Sequence, residues 1–579
     1  MPTKSRTKTH AKTKIKTSTK VIVAVSAIVT AAFALAAFGG VIKVVPGLTV
    51  INSRPPTSQT IVRGQNDVAM LGMEFVARRI DVDVESIAFK FTGDDNAAMP
   101  LDNDIRAQDV ISSCILKDSQ TGALISGPES LDANDMISFD DNFSVFMGVR
   151  FKAILECDIF NVATTSGDPD FFTFDIAAST DISAMDANTG DLLIGRAITL
   201  GKYARGINPN GKNIKITKVD NGVLSVNTPG ASPNSQIIVP NDQDVKVAQY
   251  RFDAQYESML INRLTFSNCV TTVVDDNGNC ADLGENRGSD QAADAITIEY
   301  PDINGNLVTK TSLFNNGEVT FDLVNYFYVP ADDNAELSVY VDGPSGIGLY
   351  GPDSGDDFQV NFNAVTGGFR AIGQTSGNVL DETDLNAYRN ANHMRIHASK
   401  PTISLAAGSP SGAFIPGVQE VFRFNVSADA SRTISFDEIL FNLSTSDNAR
   451  TGWNTCSQLG DAAKFDFYNL TVGGPADLLD SDADWVMNDG LMECANGSTM
   501  LGNARLNLST PENVPAGVTY TYALYMDTTG ASSADDDAIR VDIPQLPPFN
   551  PFIWTDGYMQ DISAYLLKNL PVSGGTLVF

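Results

Sequence analysis

Asp480, Asp482 and Asp484 alternate along the chain, and Asp489 follows five residues after the last of them. Carboxylates crowded in this way suit a loop that wraps oxygen ligands around a hard cation, so calcium is the expected ligand. The spelling is not that of an EF-hand. Counted from Asp480, Trp485 stands where the turn needs Gly, and Leu491 stands where the bidentate Glu should be. Asp275, Asp276, Asn277 and Asn279 form a second acidic loop beside Cys280, and Asp168-Pro169-Asp170 a third. Asp and Asn also favour plain turns, because their side chains bond to nearby backbone. That reading stands beside the metal one.

Cysteine offers a different chemistry. There are 6 cysteines, two in each third of the chain: Cys114 and Cys157, Cys269 and Cys280, Cys456 and Cys494. An even number grouped in this way predicts a disulfide within each pair in an exported protein. Zinc would need clustered Cys and His ligands, and no CxxC pair is present. His10, His393 and His397 are the only histidines. Ser-His-Asp chemistry therefore has little to work with. His393 and His397 are four apart and read as two surface histidines near a linker. No GxxxxGK[ST] phosphate loop occurs. Paired carboxylates for glycoside hydrolysis carry no information in a chain with 70 acidic residues. An exported hydrolase is the weakest of the functions considered, and a non-enzymatic role is expected.

The charge is segregated. Lys4, Arg6, Lys8, Lys12, Lys14, Lys16 and Lys20 precede an uncharged apolar run from Val21 to Ile42. About 20 residues cross a bilayer core as a helix, so this run is long enough to span. Ala34-Leu35-Ala36 resembles a cleavage site, so a retained anchor and a cleaved signal both fit. In either case the lysines stay in the cytoplasm and the rest is exported to the cell surface. Beyond residue 20 the chain carries 32 basic and 70 acidic residues. Such a body repels nucleic acid and anionic membrane surfaces. The partners expected are the membrane, through the N-terminal segment, and either further copies of the chain or a cell-envelope polymer.

The elements that must position these groups are strands. Met73, Phe75, Ala77, then Val82, Val84, then Ile87, Phe89 alternate at period two. The same spelling returns as Tyr250, Phe252, Ala254, Met259, Ile261, Leu264, Phe266, and again as Phe424, Val426, Ala428, Ile434, Phe436, Ile439, Phe441. The copies lie about 175 residues apart, which is the mark of a tandem array. Each copy has a second half: Val149 to Leu155, Ala335 to Val341 and Val518 to Leu524 alternate, and a further strand follows each. Short strands, turn residues and few helical signals predict an all-β chain of three tandem Ig-like antiparallel β-sandwich domains after an N-terminal hydrophobic helix. The expected divisions are a basic leader over 1–20, the apolar segment over 21–45, and β-sandwich repeats over 46–205, 213–398 and 399–579.

This layout resembles the multidomain β-sandwich surface proteins of prokaryotes, of the S-layer-like or adhesin-stalk type found in candidate-phylum bacteria. The three strand triplets carry the resemblance. So do the acidic turns at Asp168–Asp170, Asp356-Asp357 and Asp535–Asp537, and the closing Asn569-Leu570-Pro571-Val572-Ser573-Gly574-Gly575. It covers nearly all of 46–579 and transfers no site residues. It implies an extracellular structural role, as a lattice unit or envelope stalk, or alternatively an adhesive or glycan-binding one.

Overall fold

The computed structural model describes residues 45–579 apart from 54–55, 96–103, 165–167, 201–213, 269–292, 316, 350, 363–365, 386–388, 447–464, 473–476, 482–485, 488–499, 530, 532–536 and 546–549. The N-terminal hydrophobic helix and the signal reading fall outside the described residues. Among those residues, no helix is long and apolar enough to cross a membrane.

The described chain is almost entirely strand, in sheets that are mostly antiparallel. Its helical pieces are single turns, such as Ala107–Val110. Apolar side chains collect into three separate cores. One runs from Leu48 to Ile216, one from Leu224 to Ile396, and one from Ile403 to Phe579 with Ile237 and Val239 added. All three strand triplets named above are buried.

Each triplet is a pair of strands joined by a corner that passes from one sheet to the facing sheet. Val68–Arg78 lies in a 6-stranded sheet and Val82–Asp94 in a 7-stranded one. Val245–Gln255 and Met259–Asn268 divide in the same way, as do Val418–Ala428 and Ile434–Ser446. The first strand of each pair takes a long antiparallel partner: Arg150–Ile159, Asn334–Asp342 and Thr519–Asp527. The second strand takes Asp170–Asp175, Val360–Phe362 and Ala538–Ile543. The two inner faces then meet as alternating apolar rows, which is the β-sandwich solution to burying one face of each sheet.

Register fixes the polarity of the first body. Gly47 pairs with Arg78 and Val76 with Arg150, so the chain arrives at the Arg78–Val82 corner. The last strand of this body, Ile216–Val219, follows the 206–211 linker sequence. It runs antiparallel to Asp170–Asp175 and parallel to Gln59–Val62. It therefore ends at the opposite pole, where Asp220 begins the passage to the second body.

Candidate functional site

Several polar groups that the fold buries, among them Glu257, Ser376, His397 and Asp556, stand where one body hands the chain to the next. At the first junction, Val219 leads into Asp220 and Gly222. The Asp220 carboxylate accepts the Thr164 N–H at 2.7 Å and the Thr164 hydroxyl at 3.2 Å. Two residues on, the Gly222 N–H donates to Glu257 Oε1 at 2.8 Å. Glu257 stands on the corner after Val245–Gln255, where Tyr256 holds a φ of 73°. Its carboxylate also accepts the Thr375 N–H at 3.0 Å, the Ser376 N–H at 2.8 Å and the Ser376 hydroxyl at 2.8 Å. The side chain is buried, and these donors replace the water it gives up. Across the junction, Asn161 Nδ2 donates to the Ser376 carbonyl at 3.1 Å and Asn378 Nδ2 to the Asp220 carbonyl at 2.8 Å. Arg63 donates to Asn378 Oδ1.

The second junction centres on Asp556, which is fully buried. Oδ1 accepts the Tyr558 N–H at 2.9 Å and the Met559 N–H at 2.8 Å, while Oδ2 accepts the Ala398 N–H at 2.8 Å and the Ser354 hydroxyl. The Ser354 Oγ lies 3.0 Å from His397 Nδ1, and that nitrogen is 3.6 Å from Asp556 Oδ2. Burial alone works to raise the Asp556 carboxyl. The neighbouring His397 ring and the hydrogen bonds from Ser354, Met559 and Tyr558 outweigh it and hold the group well below the usual carboxylate range. Lys400 adds an ion pair to Asp242 at 3.0 Å, and the His397 ring meets Trp554 edge-on at 5.4 Å.

Ser, His and Asp are thus brought together, but not as a relay. A Ser-His-Asp triad uses the two nitrogens of the ring on opposite sides. Here the hydroxyl and the carboxylate face the same nitrogen, and the hydroxyl donates directly to the carboxylate. What the arrangement does chemically is fix backbone: one carboxylate binds the 397–398 strand exit, the 354 turn and the 556–559 turn together.

The groups singled out in the sequence fare unevenly. Cys114 and Cys157 form a disulfide across neighbouring strands, with a Cα separation of 4.0 Å. Cys269, Cys280, Cys456 and Cys494 fall outside the described residues. So do Asp482, Asp484 and Asp489. Asp480 lies within the strand Asp477–Ser481, its backbone opposite Phe467, rather than in a loop. Asp170, from the third acidic turn, is fully buried against Lys218 at 2.8 Å. His397 corrects the surface reading, because it is buried. His393 is half-buried with an Nδ1 that finds no hydrogen-bond partner. Among the described residues, Asp94, Asp95 and Asp104 bring carboxylate oxygens within 4.8 Å of one another. Glu257, Ser354, Lys218 and Asp556 were not singled out by sequence. Each has at least one partner distant along the chain.

No family model matches the chain. No curated protein matches it either. Among solved structures, the chain is similar to a Corynebacterium diphtheriae protein provisionally described as membrane anchored, at 8% identity and a TM-score of 0.19, over 92% of this chain and 91% of that one. It is also similar to a type III cohesin module of the cell-surface anchoring scaffoldin ScaE of Ruminococcus flavefaciens, at 12% identity and a TM-score of 0.12, over 31% of this chain and 88% of that one. At such TM-scores neither likeness bears on function.

The described residues also form a cleft of about 350 Å³ beside the second junction. Asn234, Ser235, Asn392 and Gln545 line it with amides and a hydroxyl, and Tyr565 stands at its wall, 71% exposed.

Proposed function

We propose that this chain is an exported, membrane-anchored structural protein of the cell surface, built as a stalk or lattice unit and without catalytic chemistry. One observation carries the reading. The apolar segment feeds one pole of the first body, and the chain leaves that body at the other pole into a junction held by buried hydrogen bonds. That is a means of presenting tandem domains away from a membrane rather than of building a reaction site. The acidic surface fits an exposed, hydrated role. The test is electron microscopy of intact cells labelled with antibodies against 46–579. Label on the outer surface is the expected result, as a continuous coat for a lattice unit or as separate projections for a stalk. Label confined to the cytoplasm overturns the proposal.

Calcium belongs to this reading as the counter-ion of the acidic turns. Crowded carboxylates repel one another in the compact state, and a bound divalent cation relieves that repulsion. Thermal melts should rise with millimolar calcium and fall with chelator. Sodium chloride at equal ionic strength, which only screens, should do less. Equal effects of the two salts would remove specific calcium sites from the proposal.

A second reading, an adhesive or glycan-binding surface protein, is favoured by the cleft at the second junction. Amide side chains and an exposed tyrosine ring supply the hydrogen bonds and the flat apolar face that a sugar ring needs. Glycan-array binding that disappears in Tyr565→Ala supports it. An array with no binders removes it.

A further inference from the structure

The pole at which the chain enters the first body carries apolar side chains that the fold leaves in solvent. Phe146, Met147, Val149, Leu192 and Ile194 are each between 53% and 75% exposed. The first three come from one turn, and Leu192 and Ile194 from the segment that follows the 187–190 turn, on the other side of the same corner. Val82, at the start of its strand, pairs with Val145 on one side and with Asp186 on the other. The Met147 N–H donates to Asp81 Oδ1 at 2.7 Å, and the Ala187 N–H donates to the Asp81 carbonyl at 3.0 Å. Met147 also bridges Ala77, which is the partner of Leu48. These side chains therefore lie beside the point where residue 45 joins the body.

The composition of the first turn is unusual. Phe146 to Val149 is a β-turn closed by a 3.0 Å bond from the Val149 N–H to the Phe146 carbonyl, with Gly148 at a φ of 79°. Turns of this kind ordinarily carry Asn, Asp, Ser, Gly or Pro. The tandem repeats supply an internal comparison, because the same corner recurs in each. The second body has Pro330-Ala331-Asp332-Asp333 there, and the third has Pro515-Ala516-Gly517-Val518. Only the body that directly follows the apolar segment has Phe and Met at the first two positions of this turn, where the others have Pro-Ala; the Val at its fourth position recurs as Val518. Large apolar side chains exposed on both flanks of one corner point to a contact surface.

The occupant follows from chain length. The apolar run ends at Ile42, and Val45 is already the first described residue. Three residues extend at most about 10 Å. A spanning segment therefore holds this pole within that distance of the bilayer, at the depth where apolar side chains leave water for the acyl boundary. Arg79 and Arg196 are exposed at the same pole, where cationic side chains can reach lipid phosphates.

We propose that this pole of the first body is a lipid-docking surface, with Phe146, Met147, Leu192 and Ile194 seated at the headgroup and acyl boundary beside the anchor. The inference rests on the anchored reading above. The body then meets the membrane at two places, the apolar segment and the tip, and its tilt is restricted. The tandem is held with its exit pole pointing outward.

The test uses the full chain reconstituted into vesicles of phosphatidylcholine brominated on the acyl chain. Three single variants report position: Phe146→Trp, Ile194→Trp, and Val324→Trp, the last at a site 90% exposed on the second body. The expected result is a blue shift and loss of the added emission at 146 and 194, and no change at 324. Protein that resists alkaline extraction yet shows no quenching at 146 and 194 overturns the docking and leaves the anchor standing. Protein released by alkaline extraction overturns the anchored reading, and the docking with it. Emission at 146 and 194 shielded from aqueous iodide but untouched by brominated lipid identifies a contact with a second copy of the chain, and also overturns the docking.

Discussion

The Lys218 ammonium lies 2.8 Å from the Asp170 carboxylate, and neither side chain reaches solvent. Lys218 Nζ also donates to the Ala163 carbonyl at 3.3 Å, one residue before Thr164 grips Asp220. The pair thus ties the last strand of the first body to the loop that holds the first junction. Removing one partner leaves an uncompensated buried charge, whereas removing both does not. Lys218→Met should destabilise the first body by roughly 3–5 kcal/mol. Lys218→Met combined with Asp170→Leu should recover most of that loss. Urea unfolding of the three proteins measures both effects, and equal destabilisation of the single and double variants would argue against the charge as the cause.

Asp556 should be the most sensitive residue of the second junction. Asp556→Ala leaves the Ala398, Tyr558 and Met559 N–H groups and the Ser354 hydroxyl without their acceptor. Each buried donor left unsatisfied costs about 1–3 kcal/mol, so a loss on the order of 3–5 kcal/mol is expected once some donors relax toward water. The sign of its pH dependence is fixed. The folded carboxyl titrates below its ordinary value, so its stabilisation is present above the unfolded pKa and fades as pH falls toward the folded one. Acid melts of the wild type should lose the third-body transition steeply below about pH 4, and Asp556→Ala should flatten that slope.

Asp175 predicts the opposite slope. Burial pushes its carboxyl up to about 6; nearby Lys90 opposes the shift, and Asp181 adds to it. Its Oδ1 is buried without a hydrogen-bond partner. The folded state therefore binds the proton more tightly than the unfolded state. Stability should fall as pH rises from about 4 to 6, and then level off. With its partial exposure discounted, the change is on the order of 1–2 kcal/mol. Asp175→Asn should abolish this change. A wild-type melting temperature of the first body that stays flat between pH 4 and 6 would contradict the burial account.

Much of the fold was legible because the apolar spacing records even the irregularities of the strands. Alternation slips phase from Val84 to Ile87, from Ile261 to Leu264 and from Phe436 to Ile439. At each slip the ladder to one neighbouring strand shifts register by a single residue, which places β-bulges at Glu85, Asn262 and Asp437. A bulge adds one residue and so turns a period of two into a step of three. The same alternation misled at Val149. It continues the spelling of Phe151, Ala153 and Leu155, yet it belongs to the turn and is 53% exposed. The junctions were not legible at all. Ser354 and Asp556 lie 202 residues apart. Glu257 is one carboxylate among many in an acidic chain. Nothing local distinguishes an acid that accepts backbone N–H groups from one that faces water.

The disulfide tests whether the bodies are energetically separate. Cys114 and Cys157 stand opposite each other on paired antiparallel strands, and both are buried in the first core. The bond spans 43 residues of sequence. Closing a loop of that size removes unfolded-state entropy worth about 4 kcal/mol in the chain-entropy account. Some of this is offset where the reduced chain keeps residual structure, so a loss of about 2–4 kcal/mol is expected for Cys114→Ala with Cys157→Ala. Each core is built mainly from its own stretch of chain, with Ile237 and Val239 alone crossing from the second stretch into the third core, and the first junction described above consists of hydrogen bonds. The loss should therefore appear in one calorimetric transition and leave those of the second and third bodies nearly in place. A uniform shift of every transition would mean that the junctions couple the bodies into one cooperative unit. Protein taken from its own cells under alkylating conditions should carry this bond intact, because buried thiols remain reduced in the cytoplasm and pair only after export. Free thiols at both positions would remove export from the proposed function.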